Sequence, residues 1–232
     1  MSRFPVAILA GGLASRLGPL TDQTPKCLLD VGMCPFVHYQ LRQLHEQGVR
    51  RVVLCLGHLG EQVVESVGDG SAFGLEVLYS FDGPQLRGTA GAIKRALPLL
   101  ESSFFVLYGD SYLECSYAAV QEAFQTAGQL ALMTVFRNDG CWDSSNVEFG
   151  DNRILAYDKV HRTERMHHID YGLGVFQQIA FDVVPEEVSF DLAAVYQEML
   201  RQKKLAGFEV TDRFYEIGSV EGLEETRKYL SR

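Results

Sequence analysis

Five cysteines are scattered through 232 residues, at positions 27, 34, 55, 115 and 141, and no two of them form a C-x-x-C pair. That is too few and too irregular for a disulfide framework; it points to reduced thiols and so to a cytoplasmic location. No apolar run approaches the ~20 residues that a membrane-spanning helix needs. The short run from Phe4 to Ala10 leads straight into Gly11-Gly12, which reads as a first strand rather than a signal peptide. Basic residues are scarce: 21 Lys and Arg stand against 30 Asp and Glu, a formal charge of −9. A chain with that balance is a poor general binder of nucleic acid, whose phosphates recruit Lys and Arg. A local basic site for a small phosphorylated ligand stays open. No linker, repeat or low-complexity tract interrupts the chain, and an apolar share of 47% excludes a disordered or fibrous protein. At this length about 70% of the unfolded surface is buried on folding, so no disulfide or metal staple is required.

What is present is an alternation. Apolar runs at 5–9, 51–56, 75–79, 104–108 and 130–136 read as strands, and 35–47, 60–67, 89–97 and 117–127 carry helical spacing. Strands alternating with helices imply right-handed crossovers and an α/β fold with a Rossmann-like, doubly wound mixed sheet. After about residue 140 the rhythm changes to short strands at 146–149, 154–159 and 171–176. A helix at 191–203, a strand at 214–217 and a terminal helix follow. The expected organisation is one domain over 1–232, with a nucleotide-binding core at about 1–140 and a small inserted acceptor-binding lid and terminal helix at about 141–232. Ligands of open α/β sheets bind beyond the carboxyl ends of the strands, so 10–26, 80–90 and 109–112 should border one crevice.

The segment from Leu9 to Lys26, LAGGLASRLGPLTDQTPK, is the most informative. Gly11 and Gly12 let the backbone turn sharply and bring its N–H groups close to an anion. Arg16 is a permanent forked cation suited to phosphate oxygens, and Lys26 adds a point charge in a loop stiffened by Pro19 and Pro25. No acid occurs before Asp22 in this otherwise acidic chain, the local asymmetry a polyphosphate site requires. Neither G-x-x-x-x-G-K-[ST] nor G-x-G-x-x-G is found at the first turn, which argues against a P-loop kinase and a dinucleotide dehydrogenase.

This segment resembles the signature of the sugar-1-phosphate nucleotidyltransferases, L-A-G-G-x-G-T-R-L-x-P-L-T-x-x-x-P-K. Ala14 replaces its third glycine and Ser15 its threonine, while Arg16, Leu17, Pro19, Leu20, Thr21, Pro25 and Lys26 stand in register. Further on, Gly88-Thr89-Ala90-Gly91-Ala92 resembles G-T-A-G-A, and Tyr108-Gly109-Asp110 resembles a G-D element. Tyr157-Asp158-Lys159 is similar to E-K-P, departing at Asp158 and Val160; 171–176 resembles A-G-I-Y-V-F, and Tyr215-Glu216-Ile217-Gly218-Ser219 resembles W-x-D-I-G-T with Glu in place of Asp.

The resemblance implies transfer of a nucleotidyl group from a nucleoside triphosphate to a sugar 1-phosphate, with release of pyrophosphate. It implies nucleotide binding by Leu9, Ala10, Gly11, Gly12, Leu13, Gly88 and Thr89, with Gln85 a candidate for reading the base. Arg16 would hold the departing pyrophosphate, Lys26 the α-phosphate, and Asn146, Lys159, Asp170 and Gly172 the sugar phosphate. Asp110 and Glu216 would hold Mg²⁺. The partners implied are the two substrates, with a homodimer left open and neither nucleic acid nor membrane expected. The 17–29 stretch is most similar to bacterial uridylyl- and guanylyltransferases acting on hexose, N-acetylmuramic or heptose 1-phosphates, and the reading leans towards GTP with heptose or mannose 1-phosphate. Uridylyl or thymidylyl transfer to a hexose 1-phosphate, cytidylyl transfer to a phosphorylated amine or alcohol, and a non-catalytic nucleotide-sugar sensor remain as alternatives.

Several residues carry a second reading. Asp110 could merely cap a turn, Glu216 could sit on a solvated strand face, and Lys159 could be an ordinary strand-end lysine. Asp170 fits a sugar hydroxyl or a neighbouring side chain; Trp142 fits the acceptor pocket or the core. His167-His168 without a third ligand reads as exposed side chains, and the cysteines as small buried hydrophobes.

Overall fold

The computed structural model describes residues 3–12, 15–186 and 188–231; Leu13 and Ala14 of the glycine-rich loop lie outside them. In chain order the elements are β1 (Val6–Leu9), α1 (Phe36–Glu46), β2 (Arg51–Leu56), α2 (Gly60–Val67), β3 (Glu76–Phe81), α3 (Gly88–Ala96), β4 (Ser103–Tyr108), β5 (Ser111–Leu113) and α4 (Tyr117–Ala127). There follow β6 (Ala131–Arg137), β7 (Val147–Gly150), β8 (Arg153–Tyr157), β9 (His168–Gln177), α5 (Leu192–Arg201), β10 (Leu205–Val210), β11 (Phe214–Glu216) and α6 (Val220–Leu230). The helices begin and end where side-chain chemistry dictates. Ser116, Asp191 and Ser219 cap α4, α5 and α6 by accepting backbone N–H bonds, and α4 stops at Gly128, which takes the left-handed conformation.

The main sheet runs β10-β6-β9-β4-β1-β2-β3. Strands β4, β1, β2 and β3 are mutually parallel, β9 is antiparallel to both β4 and β6, and β10 is parallel to β6. The sheet is thus mixed, and it draws strands from both sides of residue 140. Hairpin β7–β8 hangs from the start of β9, and β5 pairs with β11 in a separate two-stranded ribbon.

Alternation along the strands builds two cores. Val6, Ile8, Leu54, Phe105 and Leu107 face α1, α2 and α4, while Ala7, Val53, Phe104 and Val106 face α3 and α5. A third cluster of Leu17, Leu29, Val31, Phe36, Ile217 and Leu223 fastens the 15–31 loop to α6.

Two strands have no clear signal in the sequence. β5 is only three residues long, and β10 is interrupted by Gly207. The glycine is there because a Cβ would stand 2.7 Å from the Phe149 ring, a tertiary constraint invisible to local propensity. β9 also begins earlier than the 171–176 pattern suggests. Between the pairs Met133–Gly174 and Val135–Asp170 three residues of β9 oppose one of β6. Gly172, at φ +97°, absorbs this bulge.

Candidate active site

From β1 the chain proceeds to β2 and β3 on one side and to β4 on the other, so the carboxyl ends of β1 and β4 form the point where strand order reverses. Their backbones come close: Gly109 N–H donates to Leu9 O at 3.1 Å, and a Cβ on Gly109 would lie 2.4 Å from that same oxygen. Only glycine fits there, and the turn it permits delivers Asp110. A cavity of about 530 Å³ opens at this junction, lined by 9–12, 16, 26–27, 55, 82, 86, 88–89, 92, 108–111, 143–144, 146, 159, 162, 169–172, 214 and 216. It gathers Leu9, Ala10, Gly11, Gly12, Arg16, Lys26, Gly88, Thr89, Asp110, Asn146, Lys159, Asp170, Gly172 and Glu216. Gln85 is not among its walls. It is exposed on the 82–87 turn, where Asp82 and Leu86 face the cavity instead. Leu13 lies outside the described residues.

At the loop end, Lys26 Nζ pairs with Asp110 Oδ2 at 2.7 Å, both groups partly exposed. Asp110 is held from below. Gln40 on α1 is fully buried, and its amide donates to Tyr108 O at 3.2 Å and Ser111 O at 2.9 Å; one turn on, Gln43 donates to Leu113 O. Glu216 accepts from Gly218 N–H and from the Ser219 hydroxyl. Gly218 leaves a cradle beside it. The point where its Cβ would stand is 2.5 Å from Glu216 Oε2, 3.2 Å from an Arg16 guanidinium nitrogen and 3.3 Å from Asp110 Oδ2. Two hard carboxylate oxygens thus converge on one small space. Among the described residues no group of three or more His, Cys, Asp or Glu is placed to hold a metal. A carboxylate pair fits Mg²⁺, which takes one or two carboxylates and completes its shell with substrate phosphates and water.

At the far end Asp170 organises a tyrosine cluster. Its carboxylate accepts from the hydroxyls of Tyr108 at 2.8 Å and Tyr157 at 3.2 Å and from Gly172 N–H at 3.1 Å. Burial, then the Asp170 charge, pushes the Tyr108 and Tyr157 hydroxyls up, so both remain donors. Asn146 Oδ1 accepts Asp170 N–H, which leaves its amide NH₂ with no protein partner among the described residues. Lys159 lies over the Tyr108 ring, 5.3 Å from its centre, and Arg162 joins it in the wall.

Asp82 carries no motif that singles it out. It is 5% exposed, accepts Arg87 N–H at 3.2 Å, and its carboxyl is raised above the usual range by burial, with Arg87 pulling it back. Thr89 lines the cavity, yet its hydroxyl accepts Leu192 N–H at 2.7 Å and anchors the start of α5. Phe190 O takes the N–H groups of Ala90 and Gly91, and α3 meets the cavity through Gly88, Thr89 and Ala92.

Three minor expectations resolve differently. His168 is buried and bonds Glu209 at 3.0 Å, whereas His167 is exposed. Cys27, Cys55 and Cys115 are buried, and burial pushes each thiol up to about 12. Cys141 is exposed and Cys34 partly so, because both sit in turns outside the sheet. Trp142 is 48% exposed and stacks on Arg213 rather than joining the core.

The Nucleotidyl transferase family profile matches residues 6–150. The chain is 32% identical to N-acetylmuramate alpha-1-phosphate uridylyltransferase of Neisseria meningitidis serogroup B, over 95% of each chain. It is 29% identical to D-glycero-alpha-D-manno-heptose 1-phosphate guanylyltransferase of Aneurinibacillus thermoaerophilus, over 96% of each. Its fold is similar to that of HddC from Yersinia pseudotuberculosis, solved with GMP-PN, at TM-score 0.81 and 24% identity, covering 98% of this chain and 99% of the other.

Proposed function

Because the chain belongs to the nucleotidyl transferase family, we propose that its cavity joins a nucleoside triphosphate to a sugar 1-phosphate, releasing pyrophosphate. The observation that carries this reading is one cavity whose wall holds four cations, Arg16 and Lys26 from the glycine-rich loop and its continuation and Lys159 and Arg162 from the second half of the chain. Two polyanions must be brought together for the reaction, and a single cavity walled by four cations suits that task. A phosphate monoester is already a nucleophile at neutral pH, so no Ser-His or Cys-His device is needed. Catalysis reduces to orientation and to neutralising charge as it moves onto the leaving group.

In this reading Leu9 to Gly12 and the start of α3 receive the nucleoside. Lys26 meets the α-phosphate, its ammonium already aimed by Asp110, and Arg16 draws the departing pyrophosphate. Lys159 holds the acceptor phosphate, and the unpartnered Asn146 amide and the fixed Asp170 carboxylate address the sugar. Asp110 and Glu216 would hold Mg²⁺, which supplies charge neutralisation to the triphosphate.

Guanosine is the favoured base. The buried group beside Gly88 is the Asp82 carboxylate, an acceptor when ionised. Guanine presents N1–H and N2–H₂ side by side; uracil presents one N3–H between two carbonyls that a carboxylate repels. The sequence resemblance then favours a heptose or mannose 1-phosphate as the acceptor.

Pyrophosphate release measured over four nucleoside triphosphates and a panel of acceptor phosphates tests the reading. GTP with a mannose-type 1-phosphate should be the fastest pair, and Asp110→Ala and Arg16→Ala should each lower the rate by about 10²–10³ while remaining folded. Preference for UTP would remove the guanosine assignment alone. Wild-type rates in both variants would sink the mechanism.

A further inference from the structure

The loop at 138–146 supplies Asp143, Ser144 and Asn146 to the acceptor end of the cavity. It is tied internally by the buried Asn138, whose amide donates to Asp143 O at 2.6 Å and to the Ser145 hydroxyl at 3.2 Å, while Asn138 Oδ1 accepts Trp142 N–H. One side chain joins it to the opposite wall. The Arg213 guanidinium lies 3.5 Å from the centre of the Trp142 ring and 4.6 Å from that of Tyr215. Tyr215 in turn stacks on Tyr229 of α6 at 3.9 Å and 14°, and Arg213 is steadied by Glu225 at 2.6 Å. Successive residues of a strand point to opposite faces: Phe214 and Glu216 line the cavity, and Arg213 and Tyr215 face away from it. The loop therefore straddles β11, with Asp143 and Ser144 inside and Trp142 pinned outside.

We propose that Arg213 is a positioning residue: its stack between Trp142 and Tyr215 holds the 138–146 loop against the acceptor end, so that occupancy by the acceptor sugar phosphate registers at Trp142. This rests on the reading of that end as the sugar-phosphate site. Trp142 is the chain's single tryptophan, so its emission reports on this contact alone.

Emission is followed while mannose, glucose and N-acetylmuramic acid 1-phosphates are titrated, and steady-state rates are measured with whichever of these the wild type turns over fastest. The acceptor KM of Arg213→Met should rise about 2–5-fold, the range a cation–π contact at a partly exposed site spans. The nucleotide KM should stay within about twofold. Arg213→Lys keeps the charge and should recover part of the loss. Glu225→Gln removes the ion pair but not the stack and should leave the acceptor KM near wild type. Trp142→Ser should match Arg213→Met, and the double variant should be no worse than either, since both remove one contact. The acceptor-induced emission change should vanish in Arg213→Met. An unchanged acceptor KM in both single variants, or additive effects in the double, would overturn the proposal. Absence of pyrophosphate release with every panel member would overturn the functional reading instead, and emission would still show whether each phosphate binds at the loop.

Discussion

Asp82 shows how one residue's surroundings set its chemistry. Burial favours its neutral form, and the Arg87 N–H and charge only partly restore the anion. The folded state therefore binds this proton more tightly than the unfolded chain does. Its ionisation costs stability as pH rises from the usual carboxylate range through the raised native value. Asp82→Asn keeps an acceptor for Arg87 N–H and loses that cost. Thermal melts from pH 4 to 7 should show the variant gaining on the wild type as pH rises, while its kcat/KM with GTP falls. A difference in melting temperature that does not change with pH would count against this account. Gln85 and Asp82 also mark what single residues disclose. Both precede Gly88 in a turn-rich stretch, and only the course of the 82–87 turn decides which one faces the cavity.

At the scale of elements, the device that fixes Asp110, the carboxylate proposed to hold the metal, is a helix. α1 presents Gln40 and Gln43, one turn apart, to the carbonyls of the 108–113 turn. Among the described residues the Gln40 side-chain oxygen has no hydrogen-bond partner, so the residue contributes through what its amide donates. Gln40→Met would strip the buried Ser111 carbonyl and the part-buried Tyr108 carbonyl of this donor, at a cost of about 1–3 kcal/mol for a buried group left unsatisfied. Urea unfolding should register that loss, and the Mg²⁺ concentration for half-maximal rate should rise as Asp110 loosens. Unchanged Mg²⁺ dependence in a destabilised variant would confine Gln40 to stability. In the sequence these glutamines look like the polar face of an amphipathic helix. Their role is legible only when α1 is laid under β4.

The whole molecule closes on itself through the cluster of Leu17, Leu29, Val31, Phe36, Ile217 and Leu223. It joins the loop bearing Arg16 and Lys26 to the helix that follows Glu216, so segments remote in the sequence meet at the proposed phosphate site. Leu223 is 1% exposed, and Leu223→Ala should cost roughly 2–5 kcal/mol. Nucleotide KM should rise more than acceptor KM, because the loop that loosens is the one proposed to hold the triphosphate. Equal rises in both would show that the cluster acts through global stability.

Local sequence patterns suffice for the alternation of strands and helices, the glycine-rich loop with its two cations, and the class of chemistry. These depend on short-range spacing: a period of two or 3.6, a glycine where a turn is tight, a local absence of acids. Tertiary structure alone decided the bulge at Gly172 that turns Asp170 towards the cavity and the insertion of β9 between β4 and β6. It also decided the choice of Asp82 over Gln85 and the Trp142–Arg213 stack. Each of these joins residues remote in the chain or depends on the path of a turn, and no local pattern encodes which of several polar side chains a packed core will leave facing the ligand.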